Sequence, residues 1–146
     1  MCKVKHKICI LLAAYNGCDT IKKQLDTILM QQGDLSVDIV ISIDLSCDST
    51  FEIALEYSKR YKSIKILPYG ERFGGAGRNF YRLLKDSDVI SYDYIAFSDQ
   101  DDIWSENKLD KAIEKLQQND CYSANVTAFW EDGRELLIEK AQPQRE

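Results

Sequence analysis

The run Ile8-Cys-Ile-Leu-Leu-Ala-Ala14 decides the fold, because it is apolar throughout and the turn residues Asn16-Gly17 follow it closely. A short, continuously apolar run is typical of a strand that is covered on both faces, as in parallel sheets. Lys3, Lys5 and Lys7 precede it, so the stretch superficially resembles a secretory signal. The run is short for a signal and no small-residue cleavage site follows it. The sequence therefore favours a buried strand.

Segments of strand and helix character alternate from this run onward. Strands are predicted over residues 37–43, 64–67 and 94–98, and helices over residues 21–29, 51–61 and 109–116 and in the segment after Gly77. This alternation predicts an α/β fold with a largely parallel sheet flanked by helices. Residues 125–130 and 134–138 are predicted to form a hairpin turned by Asp132-Gly133. The length of 146 residues fits a single domain, or part of a larger one, over residues 1–146.

Composition excludes several classes of function. The chain is 45% hydrophobic and 29% charged, with a net charge of −5, and it has no basic stripe with interleaved aromatic residues. No nucleic-acid partner is therefore expected. Its 5 cysteines are odd in number and none lie in a C-x-x-C pair, which argues against a disulfide framework or a zinc site and fits a reducing compartment. With His6 as the single histidine, a catalytic triad is not expected.

Polar residues follow the predicted strands rather than precede them. Tyr15 and Asn16 follow the first strand, Asp44 follows the second, and Asp99-Gln-Asp-Asp102 follows the strand near residue 94. In parallel α/β sheets, ligands bind beyond the carboxyl ends of the strands, where the strand order reverses. The sequence therefore predicts one ligand site at that edge of the sheet.

Asp99 and Asp101 are candidate ligands for a divalent cation. Residues two apart point the same way in an extended segment, so both carboxylates would face one point. Oxygen ligands of this kind suit Mg²⁺ or Mn²⁺, which can bridge a diphosphate and neutralise a leaving group. A calcium EF-hand is excluded, because Trp104 stands at the required glycine and Asp110 at the required glutamate. An ordinary acidic surface turn is the alternative interpretation.

The glycine-rich stretch Gly74 to Gly77 and the following Arg78 open a predicted helix, an arrangement that favours phosphate binding. The pattern is neither a dinucleotide fingerprint nor a Walker loop. A flexible loop with a solvated arginine is the alternative. Tyr15 could pack against a base or only cap the core. Asp44 could accept a hydrogen bond from a pyrimidine N3–H or only cap a turn.

Four stretches together resemble the family 2 glycosyltransferases, and most closely their rhamnosyltransferase-like members. They are Ala13-Ala-Tyr-Asn-Gly17, Ile41-Ser-Ile-Asp-Leu-Ser-Cys-Asp-Ser-Thr50, Arg72-Phe-Gly-Gly-Ala-Gly-Arg-Asn-Phe80 and Phe97-Ser-Asp-Gln-Asp-Asp-Ile-Trp104. The resemblance covers roughly Lys7 to Leu116. It implies the GT-A type of Rossmann-like fold and an inverting transfer of sugar from a nucleotide-diphosphate donor, a UDP- or dTDP-sugar, to a glycan or lipid-linked acceptor.

Site residues are carried over from this resemblance by matching position. Ala14 and Tyr15 would line the nucleobase and ribose, Asp44 would read the base, and Arg78 would lie near the diphosphate. Asp99 and Asp101 would form the D-x-D motif, with Asp101 as the direct ligand of Mg²⁺ or Mn²⁺. The lack of a signal or membrane-spanning segment predicts a cytoplasmic protein. Family members often work at the inner face of a membrane, so the resemblance implies an ability to associate peripherally with that face.

The chain also departs from the family pattern. Many members have Asp-Asp-Gly-Ser where this chain has Ile43-Asp-Leu-Ser46, and Cys18 and Cys47 replace polar residues without a functional account. Family catalytic domains are longer, so residues 1–146 are interpreted as the donor-binding half, with the catalytic base outside the chain. A Glu131-Asp132 pair is interpreted as part of a hairpin rather than as that base.

Two other functions remain as alternatives. A non-catalytic or truncated nucleotide-sugar-binding module fits the missing base. A sugar-nucleotidyltransferase is disfavoured, because that class carries a glycine-rich loop directly after the first strand. This chain has Ala-Tyr-Asn at that place.

Overall fold

The computed structural model describes residues 5–139 of the chain. The predictions that involve Cys2, Lys3 and the last residues of the 1–146 domain lie outside this part. The chain divides into two compact units, Met1–Asn107 and Lys108–Glu146.

The first unit is built on a four-stranded parallel sheet. Its elements follow in the order β1 (His6–Ala14), α1 (Ile21–Leu29), β2 (Leu35–Ile43), α2 (Thr50–Arg60), β3 (Ile64–Ile66), α3 (Ala76–Asp86) and β4 (Tyr94–Asp99). The strand order is β3-β2-β1-β4, and every neighbouring pair is parallel. The predicted α/β alternation is confirmed, with element ends that differ by one or two residues.

The strand order reverses direction at β1. The chain first steps outward from β1 to β2 and β3, and α3 then returns it across the sheet to β4 on the other side of β1. Ala14 pairs with Ile43, and Ala13 pairs with Asp99, so the carboxyl ends of three strands meet at one edge. In open parallel sheets, a crevice for ligands lies at the carboxyl ends of the strands where the strand order reverses, which here is between β1 and β4.

The core lies on both faces of β1. Cys9, Leu11 and Ala13 pack with Leu83 of α3 in one buried cluster. The alternating residues, Ile8, Ile10 and Leu12, point to the opposite face and are at most 1% exposed. Each large aliphatic side chain buried in this way contributes about 1.5–3 kcal/mol to folding. The interpretation of this run as a buried strand rather than a signal is confirmed.

The second unit contains a helix and a hairpin. It comprises α4 (Lys108–Leu116), β5 (Val126–Phe129) and β6 (Glu135–Ile138), and the two strands pair antiparallel. Gly133 has a φ of 83°, and the Asp132 carboxylate lies 2.7 Å from Nε of Arg134. The predicted hairpin turned by Asp132-Gly133 is confirmed, and Glu131 and Asp132 lie in its turn. No helix within residues 5–139 is long and apolar enough to cross a bilayer.

A buried amide connects α1 to the loop after β4. Gln24 is fully buried, and its amide satisfies all its partners when Nε2 donates to the Asp102 carbonyl at 2.6 Å. Its Oε1 then accepts from Trp104 Nε1 at 3.1 Å and from Ser98 Oγ at 2.6 Å. Trp104 is itself only 6% exposed. The acidic loop that follows Asp99 is therefore anchored from beneath by one side chain of α1.

Replacement of Gln24 by leucine is expected to lower the free energy of unfolding by about 2 kcal/mol, because it leaves buried polar partners without hydrogen bonds. Chemical denaturation followed by circular dichroism measures this change. The matched control is Lys23→Leu, which places the same side chain at an exposed neighbouring position of α1. Equal unfolding free energies for both variants would contradict the anchoring role.

Candidate functional site

A cavity of about 420 Å³ opens at the carboxyl edge of the sheet, within the first unit. Its walls come from the ends of β1, β2 and β4 and from the segment that leads into α3. The lining residues are Ala13, Tyr15, Asp44, Arg72, Gly74, Gly75, Ala76, Asn79, Asp99, Gln100 and Asp101. Its volume lies within the usual range for small-molecule sites. The one ligand site predicted at this edge therefore corresponds to a cavity.

Side chains from other strand ends bind four consecutive N–H groups of the loop after β1. Tyr15 N–H donates to Gln100 Oε1 (2.5 Å), Asn16 N–H to Ser46 Oγ (3.0 Å), Gly17 N–H to Thr50 Oγ1 (2.7 Å) and Cys18 N–H to Asp48 Oδ2 (3.1 Å). Asn16 has a φ of 43°, a conformation that asparagine tolerates better than most residues. The loop that carries the half-exposed Tyr15 ring is thus held in one conformation.

Asp48 is a structural carboxylate in this network. Its Oδ1 accepts the N–H and the hydroxyl of Thr50, the first residue of α2, at 3.0 and 2.5 Å. Burial acts to raise its pKa, but the hydrogen bonds from Thr50 and Cys18 outweigh burial and lower the pKa to about 2. Asp48 therefore stays ionised and joins the loop after β1 to the start of α2.

Asp44 holds the glycine-rich segment. The carboxylate is 4% exposed, and it accepts the N–H groups of Leu45 and Phe73 at 2.8 Å and of Gly74 at 2.9 Å. Burial acts to raise its pKa, yet backbone hydrogen bonds from Phe73, Gly74, Leu45 and Gly75 bring the pKa below its ordinary value. Gly74 has a φ of 76°, which favours glycine at this position.

A buried polar group forms the floor of the cavity. Asn79 on α3 is 2% exposed, and its Nδ2 donates to the carbonyls of Ala14 (3.3 Å) and Ser42 (3.0 Å). Ser42 Oγ donates to Asn79 Oδ1 and also accepts from Arg82 at 3.2 Å. Asn79 was not predicted from the sequence as a lining residue. Its signal was available, because a polar residue four positions before the buried Leu83 lies on the core face of the helix.

Asp99 and Asp101 line the same cavity. The expectation that an extended segment would bring them together was wrong, because β4 ends at Asp99 and residues 100–101 form a turn. Within residues 5–139 there is no cluster of three or more histidine, cysteine or acidic side chains suited to a metal. Two carboxylates still fit Mg²⁺, which usually takes its remaining ligands from water and phosphate oxygens.

Two of the residues carried over by position lie outside the lining. Ala14 is 2% exposed and Ala13 lines the cavity in its place, because alternate residues of a strand face opposite ways. Arg78 lies in the first turn of α3 with Nη1 3.4 Å from the Phe73 carbonyl, whereas Arg72, which the sequence analysis did not select, lines the cavity. Tyr15, Asp44, Asp99 and Asp101 are brought together there.

The four cysteines within the described part of the chain do not line the cavity. Cys9, Cys18, Cys47 and Cys121 are free thiols. Cys18 and Cys47 lie in the loops after β1 and β2, where their backbone N–H groups donate to Asp48 and Asn16. Neither thiol has a functional account in the structure.

Sequence comparison places the chain in a family. A family model described as Glycosyl transferase family 2 matches residues 9–144. The chain belongs to this family. One curated relative is the dTDP-rhamnosyl transferase RfbG of Shigella flexneri. It is 51% identical over 136 residues, which cover 91% of this chain and 47% of the relative. The resemblance to rhamnosyltransferase-like members is confirmed.

Other relatives are more distant. The putative teichuronic acid biosynthesis glycosyltransferase TuaG of Bacillus subtilis is 28% identical over 95% of this chain and 51% of its own length. The chain thus spans about half the length of the curated relatives it matches. Among solved structures, S. aureus TarS aligns with a TM-score of 0.64 at 22% identity, over 77% of this chain and 20% of that one.

A second solved structure is the mannosyltransferase PcManGT from Pyrobaculum calidifontis in complex with GDP-Man and Mn²⁺. It aligns with a TM-score of 0.63 at 19% identity, over 75% of this chain and 32% of that one. These likenesses confirm the Rossmann-like GT-A fold that the family resemblance implied.

The Asp44→Asn variant is expected to speed amide hydrogen exchange at Phe73 and Gly74 by about tenfold or more, because an amide keeps only one acceptor oxygen and hydrogen bonds to a charged group are worth about 1.5–3 kcal/mol. Exchange measured by NMR on the ligand-free chain tests this. The control is Asp19→Asn, at an exposed carboxylate that does not line the cavity. Unchanged exchange at both amides would show that Asp44 does not hold the loop.

Proposed function

We propose that this chain forms the donor-binding part of an inverting glycosyltransferase. In this proposal the enzyme transfers a sugar from a UDP- or dTDP-sugar to a glycan or lipid-linked acceptor, assisted by Mg²⁺ or Mn²⁺. The observation that carries the proposal is the cavity itself, which gathers an aromatic ring, a buried carboxylate, two exposed carboxylates and an arginine at the reversal of strand order. Membership of glycosyl transferase family 2 and the name of RfbG support it.

The nucleoside is proposed to lie against Tyr15 and beside Asp44. The Tyr15 ring is 49% exposed on a loop whose backbone is fixed, so it offers a rigid apolar face to a base or ribose. Asp44 accepts backbone N–H groups at both of its oxygens and also lines the cavity. One of these oxygens is proposed to accept a further hydrogen bond from a pyrimidine N3–H. The structures of TarS with UDP and UDP-GlcNAc support a nucleotide-sugar ligand.

The diphosphate is proposed to lie between Asp99 and Asp101 on one side and the glycine-rich segment on the other. A divalent cation held by Asp101, with Asp99 beside it, would supply Lewis acidity for departure of the nucleotide diphosphate. The chain itself supplies the rest: carboxylates that attract the cation, glycines that permit close approach of the backbone, and an arginine that pairs with phosphate oxygens. The complex of PcManGT with Mn²⁺ supports the choice of metal.

Metal-dependent nucleotide binding is the first test. Titration calorimetry of the chain with UDP and dTDP is expected to show binding in Mn²⁺ and no binding in excess chelator. The Asp101→Asn variant is expected to lose metal-dependent binding while its circular dichroism stays unchanged, because the residue is exposed in a turn. Glu56→Gln removes the same charge from the exposed side of α2 and is the control. Equal affinity in chelator and in Mn²⁺ would refute the metal assignment.

The two arginines permit a matched comparison at the diphosphate. Arg72 lines the cavity, and no ion pair holds its guanidinium within residues 5–139, whereas Arg78 lies outside the lining. Arg72→Gln is therefore expected to weaken nucleoside-diphosphate binding by about tenfold, against about twofold for Arg78→Gln, in line with about 1–2 kcal/mol for one charge-assisted contact. Neither variant is expected to change the affinity for the nucleoside alone. A larger loss with Arg78→Gln would assign the diphosphate to that residue instead.

The acceptor base is proposed to come from residues that do not line this cavity. Inversion needs a carboxylate to take the proton of the attacking hydroxyl. The carboxylates of the lining, Asp44, Asp99 and Asp101, are all assigned to the donor, and Asp132 pairs with Arg134 in the hairpin. A donor-binding module without transfer is the second candidate, supported by the chain spanning about half the length of its curated relatives. Release of nucleotide diphosphate from dTDP-rhamnose in the presence of acceptor distinguishes the two.

A further inference from the structure

We propose that the side-chain amide of Gln100 is a positioning group that fixes the spacing between the D-x-D carboxylates and the Tyr15 loop. In this proposal glycine is needed at position 17 because a side chain there would occupy the space of the amide. The proposal rests on the proposed function, because it concerns the same donor site. It assigns a role to the middle residue of the motif, which neither the sequence analysis nor the family match assigned.

The amide makes a two-point contact with one residue. Gln100 Oε1 accepts the Tyr15 N–H at 2.5 Å, and Gln100 Nε2 donates to the Tyr15 carbonyl at 2.8 Å. A primary amide carries its donor and acceptor side by side, so it can pair with the N–H and C=O of one backbone residue as a neighbouring strand does. Both hydrogen bonds fix the orientation of the Tyr15 peptide groups.

The contact begins where the backbone ladder stops. The β1–β4 register ends at the pair Ala13 and Asp99, and beyond it the chain turns away from β1 at residues 100–101. The Gln100 side chain spans the gap that opens there, while its own backbone carries Asp99 on one side and Asp101 on the other. Asp99 is still held by its sheet pair Ala13, and beyond that pair the Gln100 side chain links the segment that carries Asp101 directly to Tyr15.

The lack of a side chain at Gly17 leaves room for this contact. A Cβ built on Gly17 would collide with the terminal amide of Gln100, including both of the atoms that bond Tyr15. The φ of Gly17 is not among the left-handed glycine values of the chain, so the backbone itself does not require glycine there. The requirement comes from the space that the amide occupies, because a Cβ on Gly17 would force the amide to shift from its position against Tyr15.

Together these contacts make the cation side and the nucleoside side of the cavity one rigid unit. A ligand that touches both sides then binds without paying to order the Tyr15 loop relative to Asp99 and Asp101. Loss of the amide leaves both groups present but removes the direct contact between Tyr15 and the segment that carries Asp101. The expected consequence is weaker binding of a ligand that spans the cavity, with little change in global stability, because Tyr15 and Asp99 are exposed.

The experiment is a double-mutant cycle on Gly17 and Gln100, read by Tyr15 amide exchange and by affinity for UDP and dTDP with Mn²⁺. Gln100→Ala and Gly17→Ala are each expected to speed exchange at the Tyr15 N–H and to weaken nucleotide binding by about tenfold, the factor for one to two ordinary hydrogen bonds. In the Gln100→Ala background the added methyl of Gly17→Ala meets no amide. The double variant is therefore expected to bind as Gln100→Ala does.

Gln118→Ala is the control, because it removes the side-chain amide of an exposed glutamine that does not line the cavity. It is expected to leave exchange and affinity unchanged. Additive losses in the double variant would overturn the steric link between Gly17 and Gln100. Wild-type affinity in Gln100→Ala, despite faster Tyr15 exchange, would overturn the positioning role alone. Absence of nucleotide binding by the wild-type chain would refute the proposed function and the donor role of the amide with it, while Tyr15 exchange still reports whether the contact forms.

Discussion

The pairing of β1 with a parallel strand on each side is the constraint on which the rest of the molecule depends. The strand is buried from Ile8 to Ala14, so every backbone group within it must be bonded by β2 or β4. Two neighbours on opposite sides require the chain to reverse its direction across the sheet, which it does through α3. The same requirement that satisfies the backbone of β1 therefore creates the crevice at its carboxyl end.

Beyond that end, side chains replace strands as partners of the backbone. The four N–H groups that follow β1 donate to the side chains of Ser46, Asp48, Thr50 and Gln100. The N–H groups of Phe73 and Gly74 donate to Asp44. Bonds to fixed side chains leave the loops little freedom, so the cavity is largely formed before any ligand enters. Asparagine and glycine supply the conformations that this tight path needs, at Asn16 and Gly74. Order in the site thus follows from the same satisfaction of polar groups that orders the sheet.

The sequence predicted the elements of the fold and the edge of the sheet where the cavity lies, because hydrophobic periodicity reports burial directly. It also predicted Tyr15, Asp44, Asp99 and Asp101 as residues that would come together, since they directly follow strands. It did not predict Ala13 in place of Ala14, because one residue of register exchanges the faces of a strand and the sequence does not show which face meets the cavity.

Arg72, Asn79 and Gln100 were missed for a related reason. Their positions depend on the path of loops, and neither periodicity nor residue type reports that path. Asn79 alone left a trace, as a polar residue on the apolar face of α3. The reason given for Asp99 and Asp101 failed even though the residues did meet, because a turn replaced the extended segment. Chain order placed these residues at the site, and loop geometry decided which atoms point into it.

The charge balance of the cavity gives the last link between structure and proposed function. Three carboxylates and one arginine line it, and backbone N–H groups solvate the charge of Asp44. Water solvates Asp99 and Asp101 while the cavity is open, but a diphosphate that fills it displaces that water and adds charge of the same sign. Two like charges about 4 Å apart repel by about 4 kcal/mol at an effective dielectric of about 20, and a diphosphate faces both carboxylates at once. One arginine cannot offset that repulsion. A divalent cation between the carboxylates and the diphosphate would turn this repulsion into attraction. A nucleoside diphosphate and a cation are therefore expected to bind together in this cavity.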